Sequence, residues 1–112
     1  MASVIHDYQS ITPSNVNVAH GVQTTLASLT LDKGVYIVTG YHQWNSAFTD
    51  RYTDYIGDFA VRNLSGQNGG GNCLSRIINI TSDNTTFTYS TYLYGTADNT
   101  AVAISLQAIK IK

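Results

Sequence analysis

Leu26-Ala27-Ser28-Leu29-Thr30-Leu31-Asp32-Lys33-Gly34-Val35-Tyr36-Ile37-Val38 is the stretch on which the reading of this chain turns. Two apolar, β-prone runs flank Asp-Lys-Gly, the pattern of two strands joined by a tight turn. Gly34 can take the positive φ that such a turn needs, and Asp32 can brace it through a side-chain oxygen. The pattern predicts a hairpin in which residues 24–31 pair with residues 35–44.

Outward from this stretch the chain keeps the same style. Period-two alternation recurs, and no window sustains the i, i+3, i+4, i+7 apolar spacing of a helix over three turns. Pro13 and most of the nine glycines fall between the β-prone runs. Strands are expected at residues 5–12, in a looser piece through Val16, Val18 and Val22, and at residues 73–81, 86–94 and 101–111. Residues 51–64 read as one strand or as two short ones around Gly57. Residues 45–50 and 65–72 read as loops, and residues 82–85 as a turn. Seven or eight strands about ten residues apart, with no crossover helices, predict an antiparallel sandwich or barrel.

With 112 residues, 43% of them hydrophobic and only 12% charged, the chain has material for one folded domain, residues 1–112. A net charge of −1 with scattered basic residues offers no footprint for nucleic acid. No apolar run approaches the roughly 20 residues of a membrane helix, so no membrane insertion is expected. The start, Met1-Ala2-Ser3-Val4-Ile5-His6-Asp7, lacks the basic and long apolar regions of a signal peptide. Cys73 is the single cysteine and reads as a buried structural thiol within a strand. A small domain without disulfides gains from oligomerisation, which supplements a limited core.

The strand faces carry this further. Phe87, Tyr89, Thr91 and Leu93 suit a core, and Thr88, Ser90, Tyr92 and Tyr94 form a second, semi-apolar face. In the last strand Val102, Ile104 and Leu106 are read as core. Ala101, Ala103, Ser105 and Gln107 are read as the opposite face, extended by Ile109 and Ile111. In residues 35–44 both faces carry bulk, Val35, Ile37 and Tyr41 against Tyr36, Val38 and Trp44, which is the mark of a strand covered on both sides. Tyr92, Tyr94, Ala103, Ser105, Gln107 and Ile109 are therefore expected at a subunit interface.

Three segments, "LASLTLDKGVYIVTG", "FTYSTYLYGT" after a Ser-Asp-Asn turn, and the closing "AVAISLQAIKI", together resemble a known family. It is that of the small trimeric jelly rolls of complement-type heads, tumour necrosis factor-like domains and phage tail-fibre tips. The resemblance spans roughly residues 16–112 and carries no calcium-binding run. It implies an all-β, two-sheet antiparallel jelly-roll β-sandwich that assembles as a homotrimer, with its first and last strands side by side near the threefold axis. It also implies a receptor-binding tip domain, whole or the C-terminal part of a longer fibre protein, located on the virion or otherwise extracellular.

Residues able to carry chemistry are few. His42 could pair with Asp50, Asp54 or Asp58, but no nucleophile-elbow pattern and no His-x-x-x-His spacing occurs, so neither catalysis nor a metal or other cofactor is expected. The Gly-rich run at 66–71 lacks the Lys-Ser/Thr of a phosphate loop. The best ligand cluster is Tyr41, His42, Trp44, Asn45, Asp50, Arg51, Tyr52 and Tyr55. Aromatic faces cover the apolar C–H patches of sugars, while carboxylates, amides and Arg bond their hydroxyls. The same residues fit an alternative in which Trp44 and Tyr52 anchor the core and Asp50-Arg51 is a rim ion pair of little worth. The expected function is host attachment through surface polysaccharide or glycan. A purely structural trimeric cap or virion decoration module, and a monomeric secreted carbohydrate-binding module, are the competing expectations.

Overall fold

Strands that alternate apolar and polar residues bury one face each, and two such sheets close on one another to form a core. The computed structural model of this chain describes residues 8–47, 50–63 and 71–112. The strands are β1 (Tyr8–Ile11), β2 (Val16–Val18), β3 (Gln23–Leu31), β4 (Gly34–Trp44) and β5 (Tyr52–Ile56). They continue with β6 (Phe59–Asn63), β7 (Gly71–Ile80), β8 (Thr85–Leu93) and β9 (Asn99–Lys110). A five-stranded sheet runs β1-β9-β4-β7, with β2 also paired to β9, and a four-stranded sheet runs β3-β8-β5-β6. Every pairing is antiparallel, and the whole is an all-β sandwich.

The core lies between the sheets. From β4 it takes Tyr36, Val38, Gly40, His42 and Trp44, and from β8 Phe87, Tyr89, Thr91 and Leu93, all buried, the β8 set as the alternation predicts. Gly40 has a packing reason to be glycine. A Cβ there would lie 2.9 Å from the ring of Tyr89, so the absent side chain is what lets the phenol of the opposite sheet reach β4.

The predicted β3–β4 hairpin does not form. β3 pairs with β8 in the four-stranded sheet, while β4 pairs with β7 and β9 in the other. Asp32 and Lys33 carry the chain from one sheet to the other. Asp32 braces a neighbouring loop and not its own turn: its Oδ1 accepts from the Asn84 N–H at 3.1 Å. Asp83 Oδ1 in return accepts from the Lys33 N–H at 2.9 Å, so two sheet-crossing loops clasp each other. The hairpin that does form joins β5 to β6 through Gly57 and Asp58, with Ile56 opposite Phe59 and Gly57 at φ +63°.

Two further expectations are corrected. Ala103 sits at φ +52° in a β-bulge opposite His42, and the extra residue shifts the alternation of β9. Ala101 therefore joins the core with Ile104, Leu106 and Ala108, while Val102 is only partly buried. Cys73 is exposed, because it lies opposite Tyr41 on the outer face of the five-stranded sheet. His6 and most of the predicted loop at 65–72 lie outside the described residues, although Gly71 and Asn72 already belong to β7. Among the described residues no helix is long and apolar enough to cross a membrane.

The outer face of the five-stranded sheet is layered. Tyr8, Ile109, Ile37 and Ile77 are in register across β1, β9, β4 and β7, forming one apolar row over four strands. Ile77 is 63% exposed and Ile109 42%. The adjacent row is small and uncharged: Ser10, Gln107, Thr39 and Ser75.

Candidate ligand-binding site

β5 sorts the candidate residues by parity. Tyr52, Asp54 and Ile56 point between the sheets and Thr53 and Tyr55 away from them, so neighbours in sequence end on opposite sides of the four-stranded sheet.

On the inner side, His42 Nε2 donates to Asp54 Oδ1 at 2.9 Å, and both side chains are 0% exposed. This bond joins β4 of one sheet to β5 of the other. His42 stands edge-on to Trp44, with ring centroids 4.9 Å apart, and Trp44 edge-on to Tyr52 at 5.3 Å. Such pairs add about 0.5–1.5 kcal/mol each beyond area burial. Burial, and then the nearby Asp54 charge, push the Tyr52 hydroxyl up to about 12. The same causes, burial first, raise Tyr89 well above the ordinary phenol value. Of the three aspartates that could meet His42, the fold selects Asp54, and no solvent reaches the pair.

The expected aromatic ligand surface is therefore not assembled. His42, Trp44 and Tyr52 belong to the core, since a Trp at 1% exposure has no face to offer a ligand. Tyr41 lies on the outer side of the five-stranded sheet, where Gln43 Nε2 donates to its hydroxyl at 2.6 Å. Asn45 is exposed beyond β4, its N–H bonded to the Thr100 carbonyl. Asp50 packs its carboxylate so closely on Gly95 that a Cβ there would collide with it. Tyr55 is half-buried on the outer side of the four-stranded sheet.

The six expected interface residues are divided as well. Tyr92 and Tyr94 flank the outer face of the four-stranded sheet, whereas Ser105, Gln107 and Ile109 lie on that of the five-stranded sheet and Ala103 sits at the exposed bulge. They cannot form one continuous patch, because the sandwich lies between them.

Arg51 remains from the ligand cluster, and the fold gives it new neighbours. With Tyr52, Thr53, Arg62 and Tyr94 it lines a cavity of about 220 Å³. The Arg51 guanidinium lies 5.3 Å from the Tyr94 ring centroid, and the Tyr92 and Tyr94 rings are 4.7 Å apart. Thr53 is 2% exposed, and its Oγ1 has no hydrogen-bond partner among the described residues. Neither arginine has a carboxylate within 4.0 Å among them. Thr53 and Arg62 escaped the sequence reading, although a signal existed. Reflection about a two-residue Gly57-Asp58 turn puts residue 62 opposite residue 53, as the register shows.

Elsewhere, His20 Nδ1 meets Asp98 Oδ1 at 2.6 Å on the surface, and the His20 N–H donates to the same oxygen at 3.1 Å. The backbone bond, and then the side-chain one, hold the Asp98 carboxyl below its usual range. Among the described residues no group of three His, Cys, Asp or Glu side chains converges as a metal site would require. No protein-family model matches the chain, and no curated protein sequence matches it.

Proposed function

We propose that this chain is a non-enzymatic attachment module, a jelly roll that trimerises through its five-stranded sheet and binds surface glycan from the other side. The observation that carries the reading is the contrast between the two outer faces. One bears the in-register row Tyr8, Ile109, Ile37 and Ile77 beside small uncharged residues. The other bears tyrosines, two arginines and a cavity.

The connectivity supports a jelly roll. Among the described strands, β5 and β6 are the pair consecutive in sequence that hydrogen-bond to each other, and the links after β2, β3, β4, β6, β7 and β8 all change sheets. The first and last strands, β1 and β9, are neighbours, in keeping with the resemblance to trimeric fibre-tip domains. An apolar row with no charge beside it among the described residues suits a second copy of the same chain, since burying it carries little desolvation cost. The buried His42–Asp54 pair favours a structural role for the only His–Asp pair in the interior of the described residues. Placement at the tip of a phage or phage-like tail fibre, on the virion or otherwise outside the cell, completes the proposal.

Light scattering at micromolar concentration tests the assembly and is expected to give the mass of three chains. Ile37→Glu together with Ile77→Glu should give a folded monomer, because both positions face outward. A wild-type monomer would favour a secreted carbohydrate-binding module. Folded trimers that retain no host-surface polysaccharide would favour a structural cap.

A further inference from the structure

The cavity beneath Arg51 and Arg62 is small, below the roughly 300–1,000 Å³ of drug-sized sites, and has room for about one sugar ring or a charged part of one. Its donors outnumber its acceptors. Two arginines line it, neither with a carboxylate within 4.0 Å among the described residues, in a chain whose net charge is −1. Thr53 lines its wall, with its hydroxyl buried beneath the accessible surface. The guanidinium fork matches a carboxylate in two parallel bonds, and an arginine already oriented over an aromatic ring loses little freedom on binding. Tyr92 and Tyr94, with ring planes inclined by 58°, supply aromatic surface beside it of the kind that packs on the apolar C–H patches of a sugar.

We propose that Arg51, Arg62 and Tyr94 form a subsite for the carboxylate of an acidic sugar, with the two guanidiniums as donors and Tyr94 beside the ring. This rests on the glycan-binding reading above and narrows it to acidic polysaccharide. Neutral sugars leave both arginines without a counter-charge.

Retention of the full chain in native gels cast with polysaccharide is the test. The acidic probes are polygalacturonate, hyaluronate and polysialate, dextran is the neutral probe and dextran sulfate the non-carboxylate anion. At least one carboxylate polymer is expected to retard the protein where dextran does not. Arg62→Gln and Arg51→Gln should each weaken that binding by about tenfold or more, as expected for loss of a charged hydrogen bond. Circular dichroism should show both variants folded. Retention by dextran with no effect of either arginine variant would overturn the acidic subsite and leave glycan binding standing. Stronger retention by dextran sulfate than by every carboxylate polymer would overturn the carboxylate assignment. Retention by none of the five would overturn the subsite and the glycan reading together.

Discussion

Two His–Asp pairs of nearly equal length stand among the described residues, and they are worth very different amounts. His42–Asp54 is 2.9 Å long with both side chains fully buried, while His20–Asp98 is 2.6 Å long with side chains 44% and 67% exposed. The shorter contact is the weaker one. In water the charges are screened, and two mobile side chains must be held for a small gain. Between the sheets there is no water to replace a lost partner, so removing one member strands the other. Burial, and not distance, decides what such a pair does.

The largest effect should come from the interior pair. Asp54→Ala is expected to destabilise the fold by about 3–5 kcal/mol, measured by urea unfolding, because His42 is left buried and unpaired. Replacing both residues with apolar side chains of similar volume should cost less than the sum of the single changes. If the losses simply add, the two residues are not coupled across the sheets.

The same interior should be visible in alkali. Tyr52 has its folded value raised above that of the unfolded chain, so its contribution is complete below about pH 10 and is lost as pH rises towards 12. Stability is expected to fall there by about 1.4 kcal/mol per pH unit for this residue, with Tyr89 adding to the slope. Phenolate absorbance should show Tyr52 and Tyr89 titrating only as the protein unfolds. Titration of these two ahead of unfolding would mean that the interior admits water.

On the outside the expected changes shrink. Arg62→Gln should alter stability by no more than about 0.5 kcal/mol, since it is an exposed side chain with no ion pair among the described residues. A larger loss in thermal unfolding would make Arg62 a structural residue. Smallest is Asp98→Asn, which should leave stability near neutral pH almost unchanged. The depressed Asp98 carboxyl contributes above its unfolded value, near pH 4, and that contribution disappears as pH falls further. The variant should accordingly flatten the acid limb slightly and remove a salt-sensitive component of it. An acid limb identical to that of the parent would leave the surface pair with no measurable role.

Much of this architecture could be read without coordinates, and the parts that could not share one cause. Alternation is a local property. It placed Phe87, Tyr89, Thr91 and Leu93 of β8 on the buried side and grouped Tyr36, Val38 and Trp44 on one face of β4, because side chains on a strand can only go to one face or the other. The same rule puts Arg51 and Tyr52, expected together in one ligand cluster, on opposite sides of the four-stranded sheet. Pairing is not local: Leu26–Val38 carries ample turn chemistry, yet an Asp-Lys-Gly corner serves equally to reverse a strand and to carry it across to the other sheet. The choice fell to what each strand could bury, with Leu29 set opposite Phe87 and Ile37 between Ile77 and Ile109. The bulge at Ala103, the exposure of Cys73 and the burial of Trp44 were likewise settled by partners far along the chain. The cavity is the extreme case. Arg51, Thr53, Arg62 and Tyr94 meet through a hairpin turn and a strand pairing, and no single stretch of sequence contains them.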